Sequence, residues 1–152
     1  MPYISGAGGG GGTQGQEVGY DQITAQVAVA STTESAGTTI ISCAAHTFNG
    51  NAVICEFFCP YLENGSAAAA TVTVCLFEAS TQITRLAVFG LPSATLQAIF
   101  NSYARYRFTP TAGSHTYTVT AFANTTTGSP AVGAGSGGTS GYAPAFVRFT
   151  QV

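Results

Sequence analysis

Arg107–Ala121 reads RFTPTAGSHTYTVTA, and its second half alternates Tyr117, Val119 and Ala121 with Thr116, Thr118 and Thr120. A period of two puts the apolar residues on one face of a pleated strand and the threonines on the other. Threonine suits the outer face because its branched Cβ favours extended backbone while its hydroxyl stays wet. Thr111-Ala112-Gly113-Ser114, just before the strand, is turn chemistry. A strand of this kind must bury its apolar face against a second sheet, and the same pattern recurs along the chain.

Upstream, Ile23, Ala25, Val27 and Val29 alternate with polar or small residues, as do Ala70, Val72, Val74 and Leu76 with Thr71, Thr73 and Cys75. Both predict strands with one wet face. Thr38–Ser42, Ala52–Phe58, Leu86–Phe89 and Ala145–Phe149 are apolar at consecutive positions, which predicts strands covered on both sides. Turn signals at Asn49-Gly50-Asn51, Glu63-Asn64-Gly65-Ser66 and Gly90-Leu91-Pro92 separate them. Leu96, Ile99, Phe100 and Tyr103 stand at helical spacing after Ser93. The aromatic run Tyr103–Phe108 instead favours a strand, with Tyr106 and Phe108 inward and Arg105 and Arg107 outward. The fold class expected is all-β, an antiparallel sandwich over residues 20–152.

Residues 1–19 differ in kind. Gly6–Gly12 is a near-continuous glycine run followed by Gln and Gly, too poor in apolar surface to fold alone, so it predicts an N-terminal arm. A second low-complexity stretch, Thr125–Gly141, predicts a long surface loop.

Composition narrows the function. Of 152 residues only 7% are charged and 45% are hydrophobic, with a formal net charge of -2. Four arginines and no lysine make no basic stripe, so no nucleic-acid partner is expected. The longest apolar region, Thr39–Leu62, is broken by His46, Asn49, Asn51 and Glu56. No membrane span is expected, and the first residues lack the features of a secretory signal.

The motifs that carry chemistry are sparse. Gly6, Gly8 and Gly11 form a G-x-G-x-x-G with no strand before it or helix after it, so no dinucleotide or other cofactor is expected. Cys43-x2-His46 with Cys55-x3-Cys59 is the one candidate metal set. Cys43, Cys55, Cys59 and Cys75 read instead as buried thiols of a β core, and no metal is expected. Asp21 is the sole aspartate, His46 and His115 are the sole histidines, and no nucleophile elbow exists. Glu56 and Glu63 are the one pair of carboxylates that a glycosidase could use, and they read as a strand-face acid and a turn acid. No catalytic residue is assigned; a folded chain of this composition acts by binding or assembling.

Arg107–Ala121 and Gly141–Val152 (GYAPAFVRFTQV) together resemble the last third of small jelly-roll domains found in tailed-bacteriophage virion proteins, which are similar to trimers of the tumour-necrosis-factor and C1q type. The resemblance implies a jelly roll, a homotrimer and a closing strand near the three-fold axis. Tyr142, Phe146 and Phe149 are then expected at subunit contacts, the alternative being that they fill the core of one subunit. It further implies a capsid decoration protein in virions assembled in the host cytoplasm. Its arm, through Tyr3, Ile4, Gly8 and Gly10, would grip the major capsid protein. The alternatives are a tail-fibre or tail-tip receptor module, and a carbohydrate-binding module in which Tyr3, Tyr20, Tyr61 and Tyr103 stand in for the missing tryptophan.

Overall fold

The computed structural model describes residues 13–64, 68–92, 98–139 and 141–152. Ten strands follow one another: β1 (Glu17–Ile23), β2 (Val27–Ala28), β3 (Thr38–Asn49), β4 (Val53–Asn64), β5 (Ala70–Glu78), β6 (Thr81–Leu91), β7 (Ala98–Phe108), β8 (Ala112–Ala123), β9 (Pro130–Gly133) and β10 (Ala145–Gln151). The one helical element described is a 3-10 turn at Glu34–Ala36. The helical spacing from Leu96 to Tyr103 therefore yields to the strand; residues 93–97 lie outside the described ones.

The strands form two antiparallel sheets. One runs β1-β10-β4-β7, with β9 and β2 continuing it alongside the far half of β4; the other runs β3-β8-β5-β6. Apart from the β5–β6 hairpin, each step between the eight principal strands crosses from one sheet to the other. That winding is the jelly roll. The inward faces meet in one core: Val53, Phe57 and Leu62 of β4, Val72, Val74 and Leu76 of β5, Tyr117 and Val119 of β8, Val147 and Phe149 of β10. Phe149 packs edge-on against Phe48, their ring centres 5.8 Å apart, and lies 5.0 Å from Tyr117.

Five local expectations change in the folded chain. The alternation from Ile23 to Val29 is split between β1 and β2, because β1 pairs with β10 up to Ile23↔Ala145 and the chain then passes to a different partner, β9. β1 also starts at Glu17, so three residues of the 1–19 segment are already in the sheet, and the Gly15 N–H donates to the Gln151 carbonyl at 2.8 Å. The stretch Thr125–Gly141 is more than a surface loop: it contains β9, buried at all four residues and paired with Tyr61–Asn64. Gly133 is required there, since a Cβ would stand 2.2 Å from the Tyr61 ring. The outer face of β5 is not wet, because the segment from Ser31 to Gly37 straps across it; Thr73 and Cys75 are buried beneath. β6, apolar in sequence, is an edge strand, and Val88 is exposed.

Turn chemistry predicts some joints and not others. Asn49-Gly50-Asn51 turns as expected, with Gly50 at φ +86° and the Asn51 N–H donating to Asn49 Oδ1 at 2.9 Å. Ala112-Gly113-Ser114 and Gly90-Leu91 instead lie within β8 and β6, whose hydrogen-bonded ladders run through them.

Candidate functional site

The outward-facing residues of β1, β10, β4 and β7 line up in rows across the first sheet. Register places Gln22, Phe146, Phe58 and Tyr103 in one row and Tyr20, Arg148, Glu56 and Arg105 in the next, followed by Thr150, Ile54 and Arg107. The Tyr20 and Phe146 rings stack at 5.4 Å, and Phe58 lies 5.5 Å from Phe146. Tyr20 and Tyr103 keep 41% and 57% of their surface exposed, so the aromatic band is open to a partner. Three of the four arginines stand on this face.

Glu56 organises the charged row. It is buried by its neighbours, and it accepts from Arg148 Nε at 2.8 Å and Nη2 at 2.5 Å, from the Tyr103 hydroxyl, and pairs with Arg105 Nε at 3.3 Å. Burial by itself raises the Glu56 carboxyl. The bonds from Tyr103 and Arg148, with the charges of Arg148 and Arg105, outweigh it and hold the group below its ordinary range. The carboxylate thus fixes two guanidiniums and a phenol at the surface, where their outer edges remain half exposed. This is the side-chain chemistry enriched at protein interfaces.

The residues expected at subunit contacts separate. Phe149 has no exposed surface and its contacts are with the core of its own chain; it cannot reach a neighbour. Arg148 gives the reason: a strand that turns an arginine outward turns Phe146 outward and Val147 and Phe149 inward. Phe146 sits at the centre of the aromatic band. Tyr142, half exposed, packs on Tyr61 at 4.4 Å over Gly133, outside the band. Tyr3, Ile4, Gly8 and Gly10, and the glycine motif at Gly6, Gly8 and Gly11, lie outside the described residues.

The polar residues weighed for catalysis act as ties. Asp21 of β1 accepts the Ala44 N–H at 2.9 Å and pairs with His46 Nε2 at 2.5 Å, joining the edges of the two sheets. The His46 ring lies flat against Gly19, where a Cβ would stand 2.6 Å away. His115 Nδ1 pairs with Glu78 at 2.5 Å, and this bond raises the imidazole above its ordinary value. Glu63 accepts from Gln26. The four cysteines are free and buried; burial pushes Cys55, Cys59 and Cys75 up to about 12 and Cys43 higher still. Thiols held protonated in this way are poor nucleophiles and poor ligands at neutral pH. Among the described residues no group of three or more His, Cys, Asp or Glu is arranged to hold a metal ion.

Sequence reasoning found Phe146, and it placed Arg105 and Arg107 outward. It missed that β1, β10, β4 and β7 bring Tyr20, Phe58 and Tyr103 beside Phe146, because strand order is set by crossings between the sheets. The signal present in the sequence was the Tyr/Arg alternation of β7 and the Phe/Arg alternation of β10.

The strand order and this face define a jelly-roll β-sandwich with an open aromatic band on one sheet. No protein-family model matches the chain, and no curated protein is significantly similar to it.

Proposed function

We propose that the chain is a non-enzymatic structural protein of a phage virion, a homotrimeric capsid decoration protein. Its subunits would meet through the outer face of the β1-β10-β4-β7 sheet. The observation that carries the reading is the aromatic band Tyr20, Phe146, Phe58 and Tyr103, centred on the closing strand and flanked by fixed arginines. In a cyclic trimer each copy presents this band to a different part of the next, so the charged row supplies register while the rings supply burial.

The N-terminal segment supports the attachment role. Residues 13–16 run beside the end of β10, with the Gln151 N–H donating to the Gln16 carbonyl at 2.8 Å. We assign residues 1–12, rich in glycine, to contact with the major capsid protein of the shell. Mixing shells that lack the protein with either the full chain or a chain without residues 1–12 tests this by cosedimentation. The full chain is expected to pellet with shells and the shortened chain to stay in solution as a trimer; equal pelleting would overturn the assignment.

A further inference from the structure

The proposed trimer buries the outer face of the β1-β10-β4-β7 sheet, and burial is costly for any charge left without a partner. Of the six acids in the chain, five are already engaged: Asp21 by His46, Glu34 by Arg85, Glu56 by Arg148 and Arg105, Glu63 by Gln26 and Glu78 by His115. Those pairs also occupy three of the four arginines. Among the described residues, Glu17 and Arg107 are left as the one acid and the one arginine whose side chains have no hydrogen bond or ion pair, and both are exposed. In a chain only 7% charged, two such groups on one face call for an account.

Register puts the two on one line. Glu17 of β1 lies beside Thr150 of β10, Thr150 beside Ile54 of β4, and Ile54 beside Arg107 of β7. They stand at opposite edges of the face, three strand spacings or about 14 Å apart, too far to pair within one chain. The charge of Glu17 is felt by Arg148, but that guanidinium is bonded to Glu56. At the other edge Ile54, Arg105, Tyr106 and Arg107 line an open hollow of about 300 Å³. Arg105 shares the single charge of Glu56 with Arg148, so the hollow keeps a surplus of positive charge and suits a carboxylate.

Opposite charges at opposite edges of one face are complementary head to tail, which is how the subunits of a closed ring meet. The occupant that this face supplies is therefore a second copy of the chain. We propose that in the trimer Glu17 of each subunit enters the hollow beside Ile54 in the next and pairs with its Arg107. Three identical pairs then decide which edge meets which, while the aromatic band between them supplies the buried area. The inference rests on the trimer reading and adds to it the order in which the edges meet.

Sedimentation equilibrium of the full chain, at low salt and at about 1 M salt, tests this on wild type, Glu17→Arg, Arg107→Glu and the double exchange. Each single exchange sets like charges at three contacts. It is expected to weaken the trimer about fivefold per contact, about a hundredfold in all, at low salt and far less at high salt. The double exchange restores opposite charges and is expected to associate as wild type does. A mixture of the two single variants reads the ring itself: three places cannot alternate two kinds of subunit, so one like-charged contact always remains and the mixture stays weaker than wild type. Two copies facing each other across a two-fold axis would alternate perfectly, so full recovery in the mixture would overturn the proposal. It is also overturned, with the trimer reading intact, if Phe146→Asp breaks the wild-type trimer while either single exchange leaves it unchanged, or if the double exchange is as weak as the singles. The hollow beside Arg107 would then be left to an acidic segment of another protein. A wild-type monomer would overturn both readings.

Discussion

The two sheets share one core and differ on their outer faces. Outward from β1, β10, β4 and β7 stand four aromatic rings, three arginines and a buried glutamate; outward from β8 and β5 stand Thr118, Thr120, Thr73 and Cys75 beneath a strap. Strand alternation dictates only that every second residue points out. What occupies those positions separates a face suited to meeting protein from one that the chain covers itself.

The sharpest way to break the molecule is through the layer that both faces share. Phe149→Ala removes a wholly buried ring set against Phe48, Phe108 and Tyr117, and is expected to cost about 3–5 kcal/mol in urea unfolding monitored by circular dichroism. Phe146, three residues earlier and facing out, is expected to tolerate Ala with a small fraction of that loss. Equal costs would erase the distinction between the two sides of β10.

A smaller effect tests the charged row. Arg148→Met takes away two of the donors to Glu56 and is expected to cost about 1–2 kcal/mol, less than a fully buried pair because the guanidinium is 42% exposed. Since the Glu56 carboxyl is held below its ordinary 4.5, its contribution is present above that value and lost as pH falls through the lowered one. The urea midpoints of wild type and variant should therefore differ most near neutrality and converge in acid. A gap that stays constant with pH would assign the loss to packing alone.

The smallest effect lies at the far end of the second sheet. His115 is raised above 6.5 by Glu78, so this pair stabilises fully below 6.5 and its contribution fades as pH rises through the raised value. His115→Gln is expected to lower the melting temperature by no more than about 2–4 °C below pH 6.5, and to match wild type in alkali. A deficit that persists in alkali would show that the imidazole acts there through shape.

These features were unequally legible in the sequence. Thr116–Ala121 and Ala70–Leu76 announced strands because alternation is local, and Asn49-Gly50-Asn51 announced its turn because only certain residues accept left-handed backbone. The burial of Thr73 and Cys75 was invisible, since the strap that covers them lies some forty residues earlier. β9 was hidden inside Gly-rich sequence because glycine is needed there for Tyr61 to lie against the backbone. Phe149 resembled an interface residue because a run such as Ala145–Phe149 looks doubly apolar until Arg148 is used to set its phase.

The central claim is that the face around Phe146 holds copies of this chain together. Light scattering behind a sizing column, at about micromolar concentration, measures it directly. The account predicts a native mass of about three times 15.4 kDa for the full chain, falling to a folded single subunit in Phe146→Asp. A monomer for the wild type, or a trimer that survives Phe146→Asp unchanged, would contradict it.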